Sequence, residues 1–394
     1  MHAAMLKGIS IWDLLINKSD LNARDIGGKT TLHYAAIGAR PDKIKSLLED
    51  KKVQYDADTK GYTPLAYLLH DTHDGGFGSS SYMLSNNFID CADALFKYDT
   101  GYQKLFEQLK GKTVVYEAGL TKFKIPANTQ IIFFAERHYA ENMTQRIVQD
   151  VVNSCDPNYY ATEFIPAVQQ NKVDLINKGF LPIEVALKKD EILIYNAQRQ
   201  VKEGKEIDPI ILSQIKFPIM RMYYPNLYKY INDKHIKIVA LDIRTKDNAN
   251  ESSKAGGTGE EWAESEIGME TRNEQWVKII KAIMKSDAKA KILVHGGETH
   301  IVDDPTQPDT VSKRLRYSTK TFIVDAALEN SVINYMLHKM GLDDKEAYIY
   351  GFKERFGADI TVRPIMATSK TAIPEEMKKS SSMPKSNSTE DTEQ

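Results

Sequence analysis

Several things are scarce in this sequence, and each scarcity narrows the reading. Of 394 residues only Cys91 and Cys155 are cysteine. They lie too far apart to build a disulfide framework, so a reducing, cytosol-type compartment is expected. No run of about 18 apolar residues occurs, and no membrane span is expected. The opening stretch Met1-His2-Ala3-Ala4-Met5-Leu6-Lys7 lacks the charged and then apolar pattern of a secretory leader. Net charge is also nearly absent, at -2 from 52 basic and 54 acidic residues. The basic residues are dispersed, which argues against nucleic acid or an anionic membrane surface as partner. No Gly-x-Gly-x-x-Gly or phosphate loop is found, so nucleotide binding has no support.

What is present is a chain with core-forming capacity, 42% apolar and 27% charged, long enough for two or three domains. Near the N-terminus the segment Gly28-Lys29-Thr30-Thr31-Leu32-His33-Tyr34-Ala35-Ala36 is echoed by Gly61-Tyr62-Thr63-Pro64-Leu65-Ala66-Tyr67-Leu68-Leu69. Gly28 and Gly61 are 33 residues apart, the period of ankyrin repeats, and each segment resembles the ankyrin turn-and-helix pattern. Leu47 and Leu48 fall where a second helix buries its apolar face. Ile9, Trp12, Leu14 and Leu15 suggest a preceding cap helix. The insertion Asp74–Ser81 displaces the second repeat's partner helix to about 88–98. His33 matches the ankyrin histidine that ties neighbouring turns together and reads as structural. Such a stack presents a surface to a protein partner, and one this short is expected to lean on the following domain.

From about Lys112 the pattern changes to strands alternating with helices. Apolar, β-branched stretches at 130–134, 159–161, 236–241 and 291–294 alternate with amphipathic stretches such as 141–153 and 270–285. This is the signature of an α/β fold with a mainly parallel sheet flanked by helices. Segments 347–351 and 359–365 add late strands, antiparallel at an edge. The expected division is an ankyrin module over 1–104, an α/β domain over 105–367 with a mobile insertion at 246–268, and a Ser-, Lys- and Glu-rich tail over 368–394.

Two strands lead into acidic and imidazole side chains. Ile131–Phe134 runs into Ala135-Glu136-Arg137-His138, and Ile292–His295 runs into Gly296-Gly297-Glu298-Thr299-His300. Each Glu-x-His pair shares one face if its segment stays extended. Both lie at carboxyl ends of strands, where open parallel sheets bind ligands. Glu163 follows the strand at 159–161 in the same way, and Asp242 and Arg244 follow the strand at 236–241. Carboxylate and imidazole together suit Mn, Co or Zn, which activate bound water, while a carboxylate off the metal can shuttle its proton. Any single pair of this kind is more often a surface feature; two pairs with Glu163 similarly placed point to a shared site. His295 is expected to face away from that site. The aromatic run Met222-Tyr223-Tyr224-Pro225 reads as core or pocket lining.

The two segments Ala135-Glu136-Arg137-His138 and Gly297-Glu298-Thr299-His300 resemble the repeated Gly-x-x-His motif of the superfamily containing Tiki metalloproteases, ChaN-like haem-binding proteins and erythromycin-esterase-like enzymes. Glu163 and Arg272-Asn273, at the start of a late helix, resemble two further elements of it. The resemblance covers roughly residues 112–365. It implies a metal-dependent hydrolase, peptidase or esterase, of an ester or amide bond. It further implies Glu136, His138 and His300 as metal ligands, Glu163 and Glu298 as catalytic carboxylates, and Arg272 as a charge stabiliser. A salt bridge from Arg272 to Glu163 or Asp242 is the alternative for that residue. Ala135 departs from the motif's glycine and brings a methyl where backbone meets ligand. Two other outcomes follow from the same residues: haem or iron binding without turnover, or an ankyrin scaffold whose site has decayed. An ankyrin module joined to such a domain, with a Glu-containing serine-rich tail, is also similar to bacterial type IV-secreted effectors that act in host cytoplasm.

Overall fold

The computed structural model describes residues 16–49, 53–70, 86–119, 122–136, 141–187, 199, 203, 224–243, 265–302, 309–316, 319–326 and 330–364. The expected cap helix, the insertion at 74–81, Arg244, residues 246–264 of the expected mobile insertion and the tail over 368–394 lie outside them.

The first repeat forms helices α1 (Thr31–Ile37) and α2 (Pro41–Glu49), and the second forms α3 (Pro64–His70) and α4 (Asn86–Phe96); α5 (Thr100–Lys110) closes the stack. The expected partner helix at 88–98 is α4, begun two residues early. Both repeat glycines adopt left-handed backbone, φ 83° at Gly28 and 84° at Gly61, a conformation that disfavours any side chain. The 33-residue period reappears in the contacts. Tyr34 donates to Asp25 at 2.7 Å, and Tyr67 donates to Asp58 at 2.6 Å. His33 carries the structural role expected of it. Its Nδ1 accepts from the Thr30 amide at 3.0 Å, so Nε2 bears the proton and donates to the Tyr62 carbonyl of the next repeat at 3.1 Å.

That bond carries a pH prediction. Burial pushes His33 below its ordinary value of 6.5, outweighing the Tyr62 carbonyl and Asp58, which favour the cation. Unfolding then takes up a proton, so this contribution is whole above about pH 6.5 and is lost as pH falls toward the lower folded value. The urea midpoint is expected to drop between about pH 7 and about pH 5, and less steeply in His33→Gln. An equal slope in both proteins contradicts this.

The α/β domain comprises β1 (Thr113–Val115), β2 (Ile131–Glu136), α6 (Glu141–Cys155), β3 (Tyr159–Pro166), α7 (Gln170–Asn177), α8 (Pro225–Asp233), β4 (Lys237–Asp242), α9 (Glu266–Ser286), β5 (Ile292–Gly297), α10 (Glu298–Ile301), α11 (Val311–Arg316), β6 (Thr321–Ala326), α12 (Ser331–Lys339), β7 (Ala347–Tyr350), α13 (Lys353–Phe356) and β8 (Ile360–Arg363). The eight strands form one mixed sheet in the order β1-β7-β8-β6-β2-β5-β3-β4. The run from β8 to β4 is parallel, so of the two late strands expected to be antiparallel at an edge only β7 is, paired with both β8 and β1, while β8 lies inside the sheet parallel to β6. β1 and β6 were not expected from the sequence pattern. β1 is a three-residue edge strand, and the apolar part of β6 is only Phe322-Ile323-Val324, too short to show a period.

Strand alternation divides the core. Ile132, Phe134, Tyr160 and Leu293 pack with α6 and α8 on one face; Ile131, Phe133, Ala161 and Val294 pack with Trp276 and Ile280 of α9 on the other. A third cluster joins the stack to the sheet domain. Leu32, Leu47, Leu65, Cys91 and Leu95 from the repeats pack with Val332, Ile333, Tyr335 and Met336 of α12 and Ile349 of β7. The short stack therefore leans on the domain that follows it, since its own surface is too small to bury alone. Among the described residues no helix is long and apolar enough to cross a membrane.

Candidate functional site

The site lies beyond the carboxyl ends of β3, β4 and β5, on the face covered by α9. Glu163 comes from the end of β3, where the register against β4 shifts between Thr162 and Pro166. Glu163 shares the parity of Ala161, so strand alternation already turns it to the face of α9. Asp242 is the last residue of β4. Arg272, Asn273 and Trp276 occupy one face of α9, spaced as neighbours on successive turns, and all three are buried.

Arg272 joins the two carboxylates. Its Nη2 donates to Glu163 Oε1 at 2.6 Å, and its Nε donates to Asp242 Oδ1 at 2.9 Å. The guanidinium is 2% exposed. Burial alone would push its pKa down, but the charges of Asp242 and Glu163 outweigh that and raise it. Arg272 thus forms a salt bridge to both carboxylates at once.

His300 is held by Asn273 and Trp276. Asn273 Nδ2 donates to the Asp309 carbonyl at 3.2 Å, which orients the amide so that Oδ1 faces His300 Nδ1 at 2.6 Å. Nδ1 therefore carries a proton, and in the neutral ring Nε2 is the basic nitrogen. Nε2 faces Glu163 Oε1 at 3.6 Å. The ring also stacks on Trp276, with centroids 4.5 Å apart and planes inclined by 28°.

That stacking needs Gly296. A Cβ there would stand 2.6 Å from Trp276 Cη2 and 3.1 Å from Glu163 Oε2. Gly296→Ala is accordingly expected to cost about 1–3 kcal/mol through overpacking, read as a lower urea midpoint. Unchanged stability would mean that Trp276 moves aside freely.

Glu163 Oε2 accepts from the Gly297 amide at 2.6 Å. Both its oxygens thus accept N–H donors, one of them cationic.

The expected grouping is only partly formed. Glu163, Arg272 and His300 come together, with Asp242 added. Glu136 closes β2 on the opposite face, where its Oε2 accepts from Tyr224 at 2.5 Å and its Oε1 lies 3.8 Å from His295 Nε2. His295 thus faces away from the Glu163 cluster, as expected, but toward Glu136. His138 lies outside the described residues. The segment after β5 does not stay extended: Glu298–Ile301 is a helical turn, in which residues two apart diverge by about 200°. Glu298 and His300 therefore do not share a face; Glu298 opens the turn, half-buried. Asn273 and Gly296 were not singled out as site residues, since an amide and a glycine show their roles only through their neighbours.

Among the described residues no three His, Cys, Asp or Glu side chains are placed to hold a metal ion.

Residues 1–75 match the family model for ankyrin repeats, in three copies. The chain thus carries an ankyrin-repeat region, a protein-interaction module, ahead of a mixed α/β domain. No curated protein matches the chain. Among solved structures it is similar to a Bacillus cereus protein (12% identity over 67% of this chain and 97% of that chain, TM-score 0.33). It is also similar to a chain described as bacterial protein toxins (14%, 76% of this chain, TM-score 0.32), of whose length it spans 54%. A third is ChaN of Campylobacter jejuni, described with cofacial haem binding (12% identity, 60% of this chain and 88% of that chain, TM-score 0.26).

Proposed function

We propose that the α/β domain, about residues 105–367, is a hydrolase of ester or amide bonds brought to a protein target by the repeats over 1–104. The observation that carries this reading is His300: Asn273 fixes it in one tautomer, and its basic nitrogen faces Glu163. In the proposed step His300 Nε2 takes a proton from water as the water oxygen attacks the substrate carbonyl, and then gives that proton to the leaving oxygen or nitrogen. Glu163 offsets the charge of the imidazolium, and Arg272 with the Gly297 amide holds Glu163 in place, so Arg272 acts through Glu163 and not on the substrate. A base oriented by an amide through one ring nitrogen, with a carboxylate beside the other, has the parts of a unit that activates water as nucleophile.

The test is a panel of chromogenic esters and anilides with wild type and His300→Gln. Turnover by the wild type that falls about 10²–10⁴-fold in the variant is expected. Equal rates in both proteins would remove His300 from the step; no turnover together with a Soret band on adding haem overturns the hydrolase reading and favours haem binding. Neither turnover nor haem binding leaves an ankyrin scaffold.

A further inference from the structure

The far end of the sheet, away from the carboxyl ends that hold Glu163 and His300, carries a second group of charged side chains. There β7 ends beside the start of β8, and the turn from β7 into α13 faces α5, the helix that closes the repeat stack. Between them lies a cleft of about 590 Å³, with Lys104 and Gln108 on one wall and Phe352, Lys353 and Arg355 on the other. That volume falls within the range of about 300–1,000 Å³ found for ligand sites. Lys104, Gln108, Glu354 and Arg355 are exposed, so the cleft opens along the surface and is not an enclosed cavity.

Its charge is one-sided. Folding gathers cations that are dispersed in the sequence: Lys104 on α5, Lys112 just beyond it, and Lys353 and Arg355 on α13. They outnumber the two acids at hand, Glu354 on the rim and Asp359, which Lys353 already engages at 3.0 Å. Among the described residues, Lys104, Lys112 and Arg355 take part in no ion pair. Two of the three are laid against aromatic rings instead. Lys112 Nζ stands 4.5 Å from the Phe352 centroid and donates to the Gly351 carbonyl at 3.3 Å. The Arg355 guanidinium stands 5.5 Å from the centroid of Tyr102. A ring face holds a cation in place without neutralising it, so both charges stay available to an incoming anion. An arginine held this way offers a planar fork that receives a carboxylate through two parallel N–H bonds.

We propose that this cleft is a docking site for an acidic, extended segment of a protein partner, with Arg355 and Lys104 each receiving a carboxylate from opposite walls. Cations on two walls of an open cleft suit carboxylates spaced along a chain; a single small anion is bound where donors converge on one point. The cleft borders the stack through α5, so one partner can lie across the repeats and place its acidic segment here. That segment then touches α13 as well, and bridges the repeats and the sheet domain. The hydrolase reading plays no part in this inference.

The test uses the full chain and a short fluorescein-labelled peptide of alternating Glu and Ala, with the same peptide carrying Gln in place of Glu as control, read by fluorescence anisotropy. The Glu peptide is expected to bind at about 0.05 M salt and to weaken as salt rises to about 0.5 M, where exposed charges are screened. The Gln peptide is expected not to bind. Lys104→Glu combined with Arg355→Glu should weaken binding about tenfold, the size expected when two solvent-exposed attractions become repulsions. Lys278→Glu combined with Lys281→Glu, an equal change of charge at exposed positions of α9, should leave it unchanged. Arg355→Lys keeps the charge, loses the fork and should give a smaller loss. A urea titration establishes that each variant is folded; should the double reversal not fold, Lys104→Gln and Arg355→Gln take its place. No binding of the Glu peptide, equal binding of both peptides, or the same loss in the two double variants would overturn the proposal. So would displacement of the peptide by millimolar inorganic phosphate at constant ionic strength, which would reduce the cleft to a small-anion site.

Discussion

Replacing Arg272 with alanine is expected to destabilise the protein by about 3–5 kcal/mol, the cost of stranding buried charge when one partner of a buried pair is removed. Two carboxylates depend on this guanidinium, and Glu163 and Asp242 are 6% and 2% exposed, so neither can turn to water without disturbing the ends of β3 and β4. Lysine is not an adequate substitute. It keeps the charge but cannot reach both acids with a planar fork, as Arg272 does through Nη2 and Nε. Arg272→Lys should therefore recover only part of the loss. The combined change Arg272→Met, Glu163→Gln and Asp242→Asn removes all three charges and should recover more stability than Arg272→Lys, since the penalty arises from unpaired charge and not from lost attraction. Urea titration of the four proteins checks the order. A single-variant loss under about 1 kcal/mol would mean that the cluster is wet and screened.

The second large effect concerns how the two parts of the chain are joined. Ile333 on α12 is fully buried in the cluster that also holds Leu32, Leu47 and Leu65 of the repeats. Ile333→Ala should cost about 2–5 kcal/mol, the transfer of the lost methyl groups plus the cavity they leave. The more telling expectation is that the loss falls on one shared transition. Since a single apolar cluster spans the repeats and α12, unfolding the stack would expose α12 and the neighbouring β7. Helix content and tryptophan fluorescence should therefore report coincident urea transitions, both moved to lower urea by the variant. Two separate transitions, with only one displaced, would mean that the repeats fold independently of the sheet domain.

Much of this architecture is legible in the sequence because it is periodic. Gly28 and Gly61 set the repeat, and apolar stretches such as Ile131–Phe134 and Ile292–Val294 form the sheet centre. Strands β1 and β6 were not legible, because three residues at an edge and a three-residue apolar run carry no period. The site was legible by residue type and only partly by grouping. Glu163 leaves a strand at that edge, as an extended reading allows, whereas Arg272 comes from the helix that covers the edge and His300 from the helical turn after β5, which an extended reading does not give. Glu136 does not join them, because it shares the parity of Ile132 and Phe134 and so lies on the face of α6 and α8. The parity of β5 does predict His295 on that same face, so its approach to Glu136 could have been read from the two strands together, given their register. Asn273 illustrates the limit. An asparagine on a helix acquires meaning only when the Asp309 carbonyl and the His300 ring lie on either side of it.

The most direct test of the proposed chemistry is hydrolysis of one ester from the panel, measured with and without a strong chelator, in wild type and His300→Gln. A step in which His300 itself takes the proton from water predicts a wild-type rate unmoved by chelation and lost on substitution. A rate abolished by the chelator and restored by Zn, Mn or Co would contradict it, and would place the reaction on a metal ion.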